Sequence, residues 1–371
     1  MLLFKGPRDQ FLTPLQAVCG IVEKRHTLPI LSNVLIEKSG ERLTLLATDI
    51  EMQIRSVTTS SGPENVAVTV AARKLQDILR SLPETVEVSL TLDERRLQLK
   101  AGKSRFNLQT MPAEEFPRMT ESTGPAAVLK LTQRQFKRQL ALVQYAMAQQ
   151  DIRYYLNGLL LVAQQGELRL VATDGHRLAY ASEDIGEQKA GQQERIEVIL
   201  PRKTVLELSR QLADNDEPLE ISLAATQARF SFGNVEFVSK LIDGKFPDYE
   251  RVIPQHQSKI IPLDRATFQH SLQRAAILTN EKFRGVRLVL GPGSLKILST
   301  NAENEEAREE IEIEYSGEEL DVGFNVNYLL DVLNNVNNEI IEIRLADSNS
   351  SALLMLPGND RFKYVVMPMR I

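Results

Sequence analysis

The stretch Leu168–Leu178, LRLVATDGHRL, has counterparts elsewhere in the chain, and that duplication constrains the fold more than any local pattern. Leu43–Asp49 reads LTLLATD and Leu295–Asn301 reads LKILSTN; the equivalent Asp49, Asp174 and Asn301 lie 125 and 127 residues apart in a chain of 371. In each copy apolar residues alternate with period 2 and end in a small polar pair, the pattern of a strand running into a turn. A helical pattern precedes each copy: Phe11, Leu12, Leu15, Val18, Cys19 and Val22, then Phe136, Leu140, Val143 and Met147, then Phe268, Leu272, Ala275 and Leu278. A second helical pattern follows each copy, from Ala72, Pro201 and Asn325, and two units close on Phe116-Pro117 and Phe246-Pro247. The chain is therefore expected to be α+β, three copies of one unit ordered strand, helix, strands, helix, strands, with domains at 1–125, 126–250 and 251–371.

Units of this length can each bury a core. An apolar content of 43% with 25% charged residues is that of an ordinary soluble protein. Apolar runs such as Leu159–Ala163 fall far short of the ~18 residues a membrane span needs, and MLLFKGPRDQ turns charged too early for a signal peptide. A lone Cys19 excludes an internal disulfide or a multi-thiolate metal site and fits a reducing cytosol. A cytoplasmic protein without a membrane partner is expected.

Chemistry is poorly represented. Asp174 and His176 invite an acid–base reading, but the other two copies carry no histidine and no nucleophile is fixed nearby. The four histidines, at 26, 176, 256 and 270, have no metal-ligand spacing, and no glycine-rich phosphate loop or nucleophile elbow is present. Neither catalysis, a metal nor a cofactor is expected.

Charge is distributed unevenly. Lys24 and Arg25 follow the first helix, and Arg73-Lys74 and Arg202-Lys203 open equivalent second helices. Cations there oppose the macrodipole by about a few tenths of a kcal/mol, so these pairs are expected to face a shared anion; snorkelling along a surface is the alternative. In the second unit Arg134, Lys137 and Arg138 lie off the apolar helix face as a solvated face would, and Gln150, Arg153, Tyr154 and Tyr155 cluster in a loop with the residue types that touch sugar-phosphate and stack on bases. Lys103 and Arg105 alternate with apolar Phe106 and Leu108 as a basic strand edge. Ten acidic residues lie between Thr300 and Asp321 against one Arg308, with EEIEIEY as a strand. Complementary ends favour head-to-tail association, which closes into a ring if the rotation allows. Met119–Pro125 reads as a linker, and the apolar finish YVVMPMRI means a docked tail or a docking surface.

Seven stretches carry a resemblance: HTLPILSN from His26, QDIRYYLNG from Gln150, VATDGHRLA from Val171, KLIDGKFPDYERV from Lys240, NEKFRGVRL from Asn280, GFNVNYLLDVLN from Gly323 and YVVMPMR from Tyr364. Over its whole length the chain resembles the bacterial DNA sliding clamps, the beta subunits of the polymerase III holoenzyme. The resemblance implies a non-catalytic processivity factor: a head-to-tail homodimeric ring of six similar domains, sheets outside and helices lining a hole for double-stranded DNA. Sequence-independent, salt-sensitive phosphate contact suits such sliding, and a net charge of −5 requires only that the positive lining be local. Implied partners are the polymerase alpha subunit, the clamp loader delta subunit and other proteins carrying a clamp-binding peptide.

Residue by residue, the resemblance assigns Arg25, Arg73, Gln150, Tyr154 and Tyr155 to DNA; the helix patterns add Lys74, Arg134, Lys137, Arg138, Arg202, Lys203, Arg265 and Arg274 as lining candidates. A hydrophobic peptide cleft is assigned to Leu156, Thr173, Gly175, His176, Arg177, Leu178, Pro247, Arg251, Val252, Asn325, Tyr328, Val365, Val366, Met367, Pro368, Met369 and Arg370, with His176 and Arg177 as rim groups hydrogen-bonding the peptide. The dimer seam is assigned to Lys103, Arg105, Phe106 and Leu108 meeting Ile277, Leu278, Glu303, Glu305, Glu306 and Glu309. Two positions depart from the family pattern: His26 stands where proline is common and Asn349 where an apolar cleft residue is common. Two other classes make different predictions. A hydrolase would lose turnover on His176→Ala, and an interaction scaffold would bind peptides without staying on circular DNA.

Overall fold

A computed structural model describes residues 1–23, 28–120, 124, 127–186 and 195–371. Lys24, Arg25 and His26, and most of the expected linker, lie outside the described residues. The first repeat comprises β1 (Leu2–Pro7), α1 (Arg8–Cys19), β2 (Asn33–Ser39), β3 (Arg42–Thr48), β4 (Met52–Thr59), β5 (Asn65–Ala71), α2 (Ala72–Ser81), β6 (Glu87–Asp93), β7 (Arg96–Ala101) and β8 (Ser104–Met111). The second repeats the order with β9 (Ala127–Thr132), α3 (Gln133–Val143), β10 (Gly158–Gln164), β11 (Glu167–Thr173), β12 (Arg177–Asp184), β13 (Ile196–Pro201), α4 (Arg202–Gln211), β14 (Pro218–Leu223), β15 (Gln227–Phe232) and β16 (Val235–Lys240). The third has β17 (Lys259–Asp264), α5 (Arg265–Ala276), β18 (Gly285–Gly291), β19 (Ser294–Thr300), β20 (Glu306–Glu312), β21 (Leu320–Asn325), α6 (Val326–Asn335), β22 (Ile340–Leu345), β23 (Ala352–Leu356) and β24 (Asn359–Val366).

The helices form where apolar residues recur at three and four. In α1 the buried set includes Phe11, Leu12, Leu15, Val18 and Cys19; Phe136, Leu140 and Val143 of α3, and Phe268, Leu272 and Ala275 of α5, are equally buried. Pro14 sits inside α1 and cannot donate to the carbonyl four residues back. The Thr58 hydroxyl donates to that Gln10 carbonyl instead, at 3.2 Å.

The repeated Asp/Asn has a local cause. Asp49 Oδ1 accepts from the Glu51 and Met52 amides, Asp174 Oδ1 from His176 and Arg177, and Asn301 Oδ1 from Glu303 and Glu305. Each side chain thus closes the turn between the second and third strands of its sheet. The preceding threonines assist, with Thr48 Oγ1 donating to the Met52 carbonyl and Thr173 Oγ1 to that of Arg177.

All strand pairs are antiparallel, and the sheets run past the repeat boundaries. One twelve-stranded sheet has the order β1-β6-β7-β8-β5-β2-β3-β4-β16-β15-β14-β9, an eight-stranded sheet β13-β10-β11-β12-β24-β23-β22-β17, and a four-stranded sheet β20-β19-β18-β21. The seams are β4 with β16, from Ser56↔Val235 to Met52↔Ser239, and β12 with β24, from Arg177↔Val366 to Ala181↔Phe362. Two compact units result: residues 1–135 with 206–241, and residues 136–186 and 195–205 with 242–371. Their limits differ from those of the three repeats because each unit is built around a ladder that joins the third strand of one repeat's first sheet to the last strand of the next repeat.

In the second unit the C-terminal tail is docked. The Met367 amide donates to the His176 carbonyl and the Met369 amide to the Gly323 carbonyl on β21, both at 2.9 Å. Gly323 is required there, because a Cβ would lie 2.5 Å from the Met369 carbonyl oxygen and 2.8 Å from Ile371 Cδ1. Gly323→Ala is expected to displace the tail from β21 and destabilise the fold by about 1–3 kcal/mol. A lower denaturation midpoint and faster carboxypeptidase release of Ile371 are the measurements.

Candidate functional site

A cavity of about 240 Å³ opens in the second unit, lined by Arg153, Leu156, Thr173, Gly175, His176, Arg177, Leu178, Phe246, Pro247, Tyr249, Val252, Val365 and Met367. Its floor is where β12 meets β24: Leu178 and Val365 are register partners, both buried. One wall is the 3-10 turn Tyr154–Leu156, and the other the segment from Phe246 to Val252 around the 3-10 turn Tyr249–Arg251. Behind it lies a core that includes Leu160, Val162, Val171, Ile199 and Met355. Apolar floor and partly polar rim form a preshaped concavity of the kind that receives a small ligand or a few side chains.

Ten of the residues that the resemblance assigns to the cleft line this cavity: Leu156, Thr173, Gly175, His176, Arg177, Leu178, Pro247, Val252, Val365 and Met367. Seven do not. Val366 is buried in the β24 ladder, Asn325 accepts from the Asn327 amide as the cap of α6, and Tyr328 stacks under Arg177. Arg251 pairs with Asp248; Pro368, Met369 and Arg370 belong to the tail leading to Gly323. Asn349 sits in the turn closed by Asp347, away from the lining. Sequence reasoning missed Phe246, Tyr249 and Arg153 as lining. The Phe246-Pro247 repeat was one available signal; Arg153 lies in QDIRYYLNG and Tyr249 in KLIDGKFPDYERV, but neither motif marked them as lining.

Arg177 requires a correction. Instead of standing at the rim with donors turned to a ligand, its guanidinium is held inside the protein, with the side chain only 9% exposed. Nε donates to Asp174 Oδ2 at 3.1 Å, Nη2 to the Tyr145 carbonyl at 2.7 Å, and Nη1 to Asp331 Oδ2 and to Tyr364 Oη. The group lies 4.5 Å from the Tyr328 ring centroid. Burial opposes its charge, but Tyr364 and Asp331 outweigh that and shift its pKa upward. The acid–base reading of Asp174 and His176 fails too, since the Asp174 carboxylate is occupied by two amides and Arg177.

Beside the cavity, Arg153 binds Asp151 through Nε at 3.0 Å and Nη2 at 2.9 Å and reaches the Asp174 carbonyl at 3.2 Å. The Asn157 side chain bonds both the amide and the carbonyl of Asp151. Gly175, at φ 90°, leaves room for that guanidinium, which a Cβ would meet at 3.0 Å. The Arg153 side-chain hydrogen bond depresses the Asp151 carboxyl to about 2. The same loop presents Gln150 at φ 57°, exposed Tyr154, and Tyr155 edge-on to it at 5.8 Å. Ile152 beside them is 96% exposed.

Five of the arginines expected to face an anion are already engaged within the chain. Arg73 donates through Nε and Nη2 to the Val22 carbonyl, and Arg202 donates to the Met147 carbonyl. The recurrence of Arg-Lys at the second helices therefore has a local cause: each arginine satisfies a carbonyl beyond the end of the preceding helix. Arg134 pairs with Asp214 and Asp216, Arg265 bonds the Leu333 and Asn338 carbonyls, and Arg274 chelates Glu309. Glu309, assigned to the dimer seam, is thereby held within its own domain, its pKa lowered by Arg274. Lys74, Arg138 and Lys203 are exposed, and Lys137 half-buried.

Lys103, in the turn before β8, and Arg105, Phe106 and Leu108 on it flank an edge paired to β5 only through Thr110 and Met111. In the second unit β20 ends its sheet; Glu303 and Glu305 lie in the turn before it, Glu306 opens it, and Ile277 after α5 is 76% exposed with Leu278 half-buried.

Family models match three consecutive segments: residues 2–120 the N-terminal domain of the DNA polymerase III beta subunit, 130–248 its central domain, and 250–370 its C-terminal domain. The chain belongs to the DNA polymerase III beta subunit family. The beta sliding clamp of Pseudomonas putida is 48% identical over 369 residues, covering 99% of this chain and all of that one. Crystal structures of DNA polymerase III subunit beta from Pseudomonas aeruginosa, one of them of the clamp bound to griselimycin, superpose with a TM-score of 0.95 at 47% identity over the full length of both chains. As a beta subunit the protein has three domains of the clamp fold and is a non-catalytic processivity factor of DNA replication. Among its described residues no helix is long and apolar enough to cross a membrane.

Two outcomes are expected for this beta subunit. Asp174→Ala opens the turn and strips Arg177 of a partner, costing about 1–3 kcal/mol in denaturant unfolding, whereas His176→Ala, at an exposed position, stays within about 0.5 kcal/mol. Because the folded Asp151 carboxyl titrates at about 2, below the ordinary value, the stability it contributes is present above about pH 4 and is lost as pH falls through about 2. Carboxyl NMR should find Asp151 still ionised at about pH 3, where unpaired aspartates are largely protonated.

Proposed function

We propose that two copies of this chain close head to tail into a ring that encircles double-stranded DNA, slides on it, and tethers polymerase and other partners through the cavity at the β12–β24 seam. One observation carries the reading. In the first repeat β4 is joined by the last strand of the second repeat, and in the second repeat β12 is joined by the last strand of the third. Their counterpart in the third repeat, β20, has no such partner among the described residues, and β8, the last strand of the first repeat, keeps an open edge along Ser104–Gln109. A second copy supplies what each lacks, through the same backbone ladder. A heterologous contact of this kind closes or polymerises, and six similar domains favour closure.

Charge supports the pairing, with Lys103 and Arg105 on one edge and Glu303, Glu305 and Glu306 by the other, and Ile277, Leu278, Phe106 and Leu108 as its apolar part. For DNA, Arg25, Arg73, Gln150, Tyr154 and Tyr155 with exposed Lys74, Arg138 and Lys203 are the proposed contacts; phosphate contact of this kind is sequence-independent. Clamp-binding peptides of the polymerase alpha subunit and the clamp loader delta subunit would lodge apolar side chains against Leu156, Leu178, Val252, Val365 and Met367. Griselimycin, bound by the Pseudomonas aeruginosa clamp, is the expected small ligand of the same cavity. The location is cytoplasmic.

Protein loaded on nicked circular DNA is expected to remain through a high-salt wash and to run off once the circle is linearised; retention on the linear product would mean gripping rather than encirclement. Ile277→Ala with Leu278→Ala is expected to give a folded monomer by sedimentation that no longer stays on the circle, and an unchanged dimer would remove the seam assignment.

A further inference from the structure

Arg177 is among the residues that line the cavity, yet four of its five N–H donors are taken by protein oxygens: Asp174, the Tyr145 carbonyl, Asp331 and Tyr364. Two of these partners adjoin the cavity lining in the chain, and a third is linked to it through a backbone hydrogen bond. Asp174 stands between Thr173 and Gly175, and Tyr364 precedes Val365. Tyr145 leads into Ala148, whose amide donates to the carbonyl of Leu156. The fourth partner is different: Asp331 is on α6 and does not line the cavity, nor does Tyr328, the α6 ring under the guanidinium.

Arg177 itself precedes Leu178, the register partner of Val365. One cation therefore pins the turn, both floor strands and the 3-10 turn Gln144–Ala146 to a helix outside the cavity. Asp174 and Asp331 both pair with Arg177, and nearby Arg202, whose pKa is lowered by burial and by Arg177, donates to the Met147 carbonyl. A second bond pins β24 to the same helix, with Tyr364 Oη donating to the Tyr328 carbonyl at 2.9 Å.

We propose that Arg177 is a positioning residue that makes no hydrogen bond to the ligand, and that the Arg177–Asp331 pair ties the shape of the cleft to the position of α6. The proposal rests on the reading of the cavity as the partner cleft. Such a device changes how often the cavity is in its receptive form, and the apparent affinity scales with that fraction. A lost direct contact speeds dissociation instead.

The test measures griselimycin association and dissociation on the full-length dimer by surface plasmon resonance. Asp331→Asn, away from the lining, is expected to slow association about tenfold while leaving dissociation unchanged. Arg177→Met, which keeps the apolar stem, should match it, and the double variant should be no worse than either, since both act through one contact. Wild-type kinetics for Asp331→Asn, or faster dissociation with normal association for Arg177→Met, overturns the proposal and leaves the cleft reading standing. If Arg177→Met does not fold, Asp331→Asn decides alone. Val252→Glu, on the exposed cavity rim, should abolish binding; undiminished binding by Val252→Glu, or none by the wild type, overturns the cleft reading and this proposal with it.

Discussion

The main-chain ladder that crosses each repeat boundary is the constraint on which the rest depends. A strand edge left open costs paired N–H and C=O groups and invites association, and in two of three repeats that edge is filled by the last strand of the next. The ladder uses backbone atoms, so it holds whatever side chains each seam carries. It also fixes register: one residue of slip would turn every inward side chain of β12 or β24 to the opposite face. The register of the cavity floor is consequently fixed, because Leu178 and Val365 lie in strands paired on both sides.

Given one backbone plan, side chains alone distinguish the two seams. At the first, the Lys240 amide donates to the Glu51 carbonyl at 2.9 Å, and at the second the Met367 amide donates to the His176 carbonyl at the same distance. The first is closed over by the Glu51–Lys240 ion pair at 3.1 Å. The second carries Met367 and His176 at these positions and has the cavity beside it. The turn differs as well: Ile50 holds φ 68°, a strained geometry for a β-branched residue, where the second seam has Gly175 at φ 90°. Without a Cβ there, the Arg153 guanidinium can approach the turn and form part of the cavity wall.

Electrostatics follows the same economy. Arg73, Arg134, Arg177, Arg202, Arg265 and Arg274 all have partners inside their own compact unit, whereas Lys74, Arg138 and Lys203 are exposed. A guanidinium offers five donors in a plane and is the group of choice for tying carbonyls and carboxylates from separate elements together. Arg177 does this for five elements at once. Its removal would strand the Asp331 and Asp174 carboxylates.

The amino-acid sequence by itself determined the threefold plan, the buried faces of α1, α3 and α5, the turn role open to Asp49, Asp174 and Asn301, and the charged strand edges. These are periodic or local properties, written every two, three or four residues or within one turn. Ten of the residues that line the cavity were named through the family resemblance, because whole motifs carry them. Tertiary structure alone decided which arginines are engaged, that Phe246, Tyr249 and Arg153 complete the cavity, and that the tail folds back on Gly323. Arg177 and Asp331 are 154 residues apart, and a hydrogen bond across that distance leaves no period in either segment. Charge can be counted along a chain, but whether a charge meets solvent or a carboxylate depends on which strands the ladders bring together.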